Sequence, residues 1–214
     1  SSSAGTLEGD AQEYEICIGD DTNMELTSQS YEKIYTMKDD EAYRECDIYV
    51  GSNSFFRYNL LPTIPYKDSA FRSKTKIKLK DETSRLIYTD IINCGRVGFG
   101  ERFQYKYYKS YIEIEMEEDN KIIYLDNTIY KPNEINMNGF GMYEGYTHFA
   151  NTIAVNIQNS TEKLDKIREI ICHSKLDGGA SLTENNDISI KAFASNSDKL
   201  IDFSNKIGNI IMET

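Results

Sequence analysis

Residues 95–101 read Gly95-Arg96-Val97-Gly98-Phe99-Gly100-Glu101, a charged stretch that contains three glycines. Glycine admits positive φ and close backbone approach. An arginine and a glutamate set among glycines can therefore be held against each other, a ligand or a neighbouring strand. Ile91 and Ile92 before the stretch, and Phe103 and Tyr105 after it, make it a turn between strands. Phosphate cradling is not its chemistry. Gly98-x-Gly100 lacks the third glycine of a dinucleotide fingerprint, no helical pattern follows, and no GxxxxGK[ST] occurs in the chain. A structural corner and a functional loop remain as its two readings.

Other residue types narrow the chemistry further. The chain has two histidines, His148 and His173, so a Ser-His-Asp or Cys-His arrangement would have to use one of them. His173 falls at the end of a predicted helix, where the negative helix terminus suits it. His148 lies between aromatics in Gly145-Tyr146-Thr147-His148-Phe149 and reads as packed, and no GxSxG is present. Cys172 and His173 are adjacent on that helix and point about 100° apart, so they do not converge on one ion. The four cysteines, at 17, 46, 94 and 172, have no CxxC spacing, which excludes zinc-ribbon and thioredoxin chemistry. Buried free thiols are expected. Carboxylates beside glycine or aromatic segments, Asp10, Asp90, Glu101 and Asp126, are the candidates for transient cation handling, because oxygen ligands hold divalent ions with little selectivity. Taken singly, each reads more readily as a solvated or ion-paired carboxylate.

The elements that must position these groups are mostly strands. Thr75, Ile77 and Leu79 alternate with Lys74, Lys76, Lys78 and Lys80, and Ile112, Ile114 and Met116 alternate with Glu113, Glu115 and Glu117. A period of two marks strands with one wet face. Turn signals recur at Gly19-Asp20-Asp21, Gly51-Ser52-Asn53, Lys80-Asp81-Glu82, Glu118-Asp119-Asn120 and Lys131-Pro132-Asn133. An all-β body over residues 1–157 follows, as sandwich, barrel or solenoid, with no repeat of fixed length. Residues 158–214 change character. Leu164, Ile167, Ile170 and Ile171 predict a helix over 161–173, capped by Asn159 or Ser160 and stopped by Gly178-Gly179. A strand is expected at 188–193. A second helix is expected over 198–212, capped by Ser197, with Gly208 inside it at a cost of about 1 kcal/mol against alanine. The tail reads helix–strand–helix, in one continuous domain with the body.

At 214 residues the chain can bury a sizeable core. Its formal net charge of −11, from 35 acidic and 24 basic residues, argues against a nucleic-acid partner. No apolar run approaches the roughly 20 residues that span a bilayer, and Ser1 to Gly9 carries no signal-peptide pattern, so no membrane partner and a cytoplasmic location are expected.

Taken in order, six segments resemble the urease accessory protein UreD family, called UreH in some bacteria. They are Gly5-Thr6-Leu7-Glu8-Gly9-Asp10; Thr27 to Tyr35; Leu61-Pro62-Thr63-Ile64-Pro65-Tyr66 with Ala70-Phe71; Asp90 to Arg96 with Gly100-Glu101-Arg102-Phe103; Asp126-Asn127-Thr128; and Gly145-Tyr146-Thr147-His148. The most distinctive of them is an aspartate followed by GRxxxGExF. The resemblance spans the whole chain as a single domain, 1–214. It implies a mainly β, β-helix-like body with two C-terminal α-helices packed against it, and a non-enzymatic role: a scaffold that binds apo-urease on one side and UreF on the other, with the GTPase UreG recruited through UreF. It further implies transient Ni2+ passing through an internal polar route and no tightly bound cofactor. Asp10, Asp90 and Glu101 become candidate route residues. Gly95, Arg96 and Gly100 become the structural loop, with Arg96 paired to a carboxylate. Family members continue upstream of the first segment, so absent first strands and an open sheet edge are expected. The rival reading is an extracellular β-solenoid polysaccharide-active enzyme, which needs a paired acid and base in a groove.

Overall fold

The computed structural model describes residues 5–213. Its strands are, in chain order, β1 (Ala11–Ile18), β2 (Asn23–Leu26), β3 (Glu32–Ile34), β4 (Ala42–Val50), β5 (Phe55–Asn59), β6 (Thr63–Pro65), β7 (Ala70–Leu79), β8 (Arg85–Asn93), β9 (Tyr107–Met116), β10 (Lys121–Tyr130), β11 (His148–Val155), β12 (Asp177–Leu182) and β13 (Ile188–Ala194). Helix α1 spans Ser160–His173 between β11 and β12, and α2 spans Ser197–Met212 after β13. The protein is mainly β with two C-terminal helices, built on two mixed sheets.

The first sheet runs β1-β4-β7-β9-β10, parallel as far as β9 and antiparallel at β10. The second runs β12-β13-β11-β8-β5-β2; β2, β5 and β8 are parallel, and β11, β13 and β12 are antiparallel. The short strands β3 and β6 pair with each other, and β6 touches β8 at Thr63 and Ile92. The chain therefore crosses repeatedly between the sheets up to β9, with β1, β4, β7 and β9 in the first and β2, β5 and β8 in the second.

Alternation in the sequence follows from how the first sheet is used. Ile48, Ile77, Ile112 and Ile114 point inward and meet Phe56, Leu86, Tyr88 and Ile153 of the second sheet. The outer face is wet and charged. The lysine strand and the glutamate strand are neighbours: Lys76 lies 3.8 Å from Glu113 and Lys78 3.6 Å from Glu115. On the other side of β7, Lys74 lies 3.4 Å from Glu45. Each exposed pair contributes at most about 1 kcal/mol, but opposite charges in facing columns favour this register over a slipped one.

The second sheet has no comparable wet face. Its outer side carries Ile87, Ile91, Ala150, Ile190 and Ala192, which pack under Leu164, Ile167, Leu200, Phe203 and Ile207 of the helices. Strands buried on both faces read as near-continuous apolar runs, as β8 does in Leu86-Ile87-Tyr88. A third cluster, including Ile34, Phe71, Ile92, Tyr105 and Tyr108, closes one end.

The tail departs from expectation in three ways. It is helix–strand–strand–helix, because Gly178 and Gly179 belong to β12 and do not stop α1. A Cβ on Gly178 would lie 2.5 Å from the Lys191 carbonyl oxygen, so only glycine allows β12 to approach β13 this closely. Asn159 precedes α1 in the left-handed region, φ 55°, and its side chain makes no capping bond. The cap of α2 is Asn196, not Ser197; its side chain accepts the Lys199 N–H at 3.1 Å. The two helices are joined by buried Lys163, whose Nζ donates to the carbonyls of Ile211 and Glu213 at 2.8 and 2.7 Å. These are otherwise open acceptors at the end of α2. The cysteines also divide: Cys46 and Cys94 are buried, whereas Cys17 and Cys172 are exposed on the outward faces of β1 and α1.

Gly208 has a steric reason. Arg57 on β5, 4 % exposed, points at α2, and a Cβ on Gly208 would lie 2.5 Å from its Cζ. The Arg57 guanidinium donates to the Ser204 carbonyl at 2.9 Å and to Asn205 Oδ1 at 3.1 Å, and pairs with Glu25 at 3.2 Å. Replacing Gly208 by alanine is expected to lower the unfolding free energy by about 1–3 kcal/mol in urea titration, because overpacking outweighs the gain in helix propensity. A rise of about 1 kcal/mol, the propensity term alone, would contradict this packing.

His148 is buried at the start of β11. Its Nδ1 lies 2.7 Å from Thr147 Oγ1, which donates to the Ser195 carbonyl at 2.8 Å, so Nδ1 is the protonated nitrogen. Burial lowers its pKa from 6.5 to about 4, with Asp198 opposing the shift. The unfolded chain therefore binds the extra proton first, and His148 takes stability away as pH falls from 6.5 toward 4. His148→Gln is expected to flatten the pH dependence of the unfolding free energy in that window, relative to the native chain, and to leave the slope above pH 7 unchanged.

Candidate functional site

The glycine loop follows from β8. Gly95 has φ 133°, and a Cβ there would lie 2.6 Å from the Glu101 carbonyl oxygen. One 3-10 turn, Val97–Phe99, ends at Gly100 with φ 75°, whose N–H donates to the Val97 carbonyl. The Phe103 N–H then returns to the Cys94 carbonyl at 2.6 Å and closes the loop. These two glycines permit a tight corner, and the corner brings Arg96 onto Glu101.

That contact is two-pronged. Arg96 Nε donates to Glu101 Oε2 at 2.8 Å, and Nη2 donates to Oε1. The Lys67 backbone N–H also donates to Glu101, at 3.2 Å. The guanidinium lies over the Tyr66 ring at 4.1 Å and the Phe99 ring at 4.9 Å. The Arg96 hydrogen bonds, chiefly, hold the Glu101 carboxyl below its usual range. Next to it, Arg102 Nη2 donates to Asn138 Oδ1 and to the carbonyls of Gly145 and Tyr146 at 3.0–3.1 Å, which ties the loop to the 138–146 segment. Every polar atom of the Glu101 carboxylate thus has a partner within the chain.

Asp90 has a different setting. It lies on β8 opposite Asn151 of β11 and faces a narrow cavity of about 40 Å3. Arg44, Glu32, Ser28, Ser30 and Thr63 share that cavity. Burial pushes the Asp90 carboxyl above its usual range; the Arg44 guanidinium opposes this and Asp126 adds to it. Asp126, on β10, takes a hydrogen bond from Lys191 Nζ at 2.9 Å, one from Thr128 Oγ1 at 2.7 Å and one from Asn151 at 3.5 Å. Asn151 thus stands between the two aspartates.

Asp10 closes the turn ahead of β1, where its carboxylate accepts the Leu7 N–H at 2.8 Å. The three candidate route residues therefore sit on separate elements: Asp10 in a surface turn, Asp90 at a narrow cavity and Glu101 in an ion pair at a corner. Among the described residues no group of three or more His, Cys, Asp or Glu side chains is placed to hold a metal ion. His173 Nδ1 bonds the Glu169 carbonyl at 2.7 Å, in its own helix. A surface cleft of about 620 Å3 does not have Asp90 in its lining; its buried carboxylate, Asp187, is taken up by the Asn156 N–H at 3.0 Å and by Thr183. No helix among the described residues is long and apolar enough to cross a membrane.

Sequence reasoning passed over Arg44. The signal was present: in Ala42-Tyr43-Arg44-Glu45-Cys46 the alternation places Arg44 on the inward side with Ala42 and Cys46. A charged residue in an apolar column is the observation that points inward to a polar site.

The model of the UreD urease accessory protein family matches residues 1–213. Similar curated proteins include urease accessory protein UreH of Helicobacter pylori strain J99, 37 % identical over 213 residues, covering 99 % of this chain and 78 % of that protein. UreH of Helicobacter hepaticus is 35 % identical over 201 residues, 94 % of this chain and 77 % of that protein. Urease accessory protein UreD of Acetivibrio thermocellus is 33 % identical over 212 residues, 99 % of this chain and 80 % of that protein. A family match across nearly every residue, joined to a mainly β body with two C-terminal helices and a corner built by the GRxxxGExF residues, leaves one assignment: the chain belongs to the UreD urease accessory protein family.

Proposed function

We propose that this chain is a non-enzymatic scaffold in the assembly of the urease nickel metallocentre, bound to apo-urease and to UreF, with UreG recruited through UreF, in the cytoplasm. The observation that carries the reading is the family match over residues 1–213. It removes the polysaccharide-active alternative. We read residues 1–157 as a β-helix-like body and 158–214 as its tail, in one domain. The parallel stacking of β1, β4, β7 and β9, and of β2, β5 and β8, supports the first point. The helices packed on β8, β11 and β13 support the second.

Nickel is the cargo in this reading. A route for a dication needs oxygen acceptors that offset part of its desolvation cost and still release it. Asp90 fits best, since it lines a narrow cavity together with the hydroxyls of Ser28, Ser30, Thr63 and Thr89. Asp10 and Glu101 are the remaining candidates; Glu101 would have to leave Arg96 to meet an ion. Gly95, Arg96 and Gly100 hold the corner.

Co-expression with apo-urease and the other accessory proteins is expected to give urease whose nickel content, measured per active site, depends on this chain. Equal nickel content without the chain would end the assignment of function. Asp90→Ala is expected to lower nickel per active site several-fold while the variant still co-purifies with its partners. Normal nickel content in urease matured with Asp90→Ala would remove the route through this residue.

A further inference from the structure

Arg44 is the one group in the Asp90 cavity whose charge opposes a metal ion. It is 8 % exposed, sits on the inward side of β4 and lines the cavity together with Asp90. Among the described residues it makes no hydrogen bond or ion pair; its guanidinium lies over the Phe71 ring, with Cζ 5.6 Å from the ring centroid. A guanidinium carries five N–H donors, and a buried charge without direct partners is costly. The cavity explains how it is tolerated. About 40 Å3 between Arg44 and Asp90 is roomy enough for ordered water, and the Ser28, Ser30 and Thr63 hydroxyls around it offer further bonds. Arg44 and Asp90 thus line one cavity without a direct hydrogen bond or ion pair between them, and the Arg44 charge favours the ionised Asp90 carboxyl. Glu32, the other carboxylate of the cavity, is already engaged by the Thr6 hydroxyl.

We infer that Arg44 is a specificity-determining residue of the cation route: it is the resident cation of the Asp90 cavity and keeps that station weak for a metal dication. The inference rests on the route reading above and deepens it. The Asp90 carboxylate and the hydroxyls of Ser28, Ser30 and Thr63 are oxygen acceptors that a dication can use in passing. A transfer station must release its cargo. A fixed positive charge facing the same cavity repels an incoming dication at short range, where the low local dielectric makes the repulsion large. A lysine at this position would keep that effect; an uncharged side chain of similar volume would lose it.

The test is Ni2+ binding to the full chain by equilibrium dialysis with nickel alone. Arg44→Met is expected to bind Ni2+ about tenfold or more tightly than the native chain, a small part of what a nearby unit charge exerts on a dication inside a protein. Arg44→Lys is expected to stay near the native affinity, and Asp90→Asn added to Arg44→Met is expected to reverse the gain. Arg44→Gln, smaller and able to hydrogen-bond with the cavity waters, reports the same loss of charge where Arg44→Met does not give a cooperative thermal transition. Native-like Ni2+ affinity in the folded neutral variant overturns the inference, as does a gain that persists with Asp90→Asn. The two readings fail separately. If Asp90→Asn alone leaves urease nickel content unchanged on co-expression, the route is wrong. If it lowers nickel content while the neutral Arg44 variant binds no more tightly, only the role of Arg44 falls.

Discussion

Arg57 rises from β5 with its guanidinium directly beneath Gly208, and α2 can settle on the second sheet because no side chain stands between them. The contact fixes more than one helix. The Arg57 head bonds the Ser204 carbonyl and Asn205 of α2 and pairs with Glu25, beside β5. Ser204 Oγ in turn donates to Asn59 Oδ1 at 2.8 Å. One buried cation therefore links the edge strand β2, the strand β5 and the last helix. With α2 in place, Leu200, Phe203 and Ile207 cover the outer side of the sheet, and Lys163 ties α1 to the end of α2. A buried charge is costly unless it is paired and hydrogen-bonded, and the partners of Arg57 are on α2 and β2, so the seating of α2 is specified by geometry as well as by apolar area.

Covering the second sheet on both sides has a consequence for the candidate site. Any polar residue on its central strands must find a partner inside the molecule or face a cavity. Thr89 and Thr152 pair across β8 and β11 at 3.1 Å. Asp90, next in the chain, has Asn151 opposite, a cavity in front and Arg44 across it. The first sheet is under no such pressure. Its outer face is open to water, and its carboxylates and lysines balance one another in columns across β4, β7 and β9. The same residue types thus have unequal value on the two sheets: on the open face they set register, and in the interior they make a site.

The glycine loop and Asp90 are five residues apart in the chain but differ in what they can do. Glu101 is closed off by Arg96 and the Lys67 N–H, and the rings of Tyr66 and Phe99 lie against the guanidinium. This is the arrangement of a corner brace. The family motif therefore holds two parts: an aspartate that reaches the interior, and a GRxxxGExF corner that turns the chain from β8 toward β9.

Local pattern determined a good deal of this. Period-two alternation located β7 and β9 and their wet faces, because a strand with one solvated side must alternate. Helical spacing of Leu164, Ile167, Leu200 and Ile207 located α1 and α2, and the ordered motifs identified the family. Other features were outside its reach. Gly178-Gly179 suits a helix stop as well as a close strand pair, and only the Lys191 carbonyl beside Gly178 distinguishes them. Gly208 looked like a helix defect until Arg57, distant in the chain, was seen beneath it. Most of all, the sequence names Asp90 and Arg44 but not their meeting. Their relation depends on β4 and β8 lying in opposite sheets with both side chains turned inward, and on a cavity between them. Such a contact is created by long-range packing, and no local spacing encodes it.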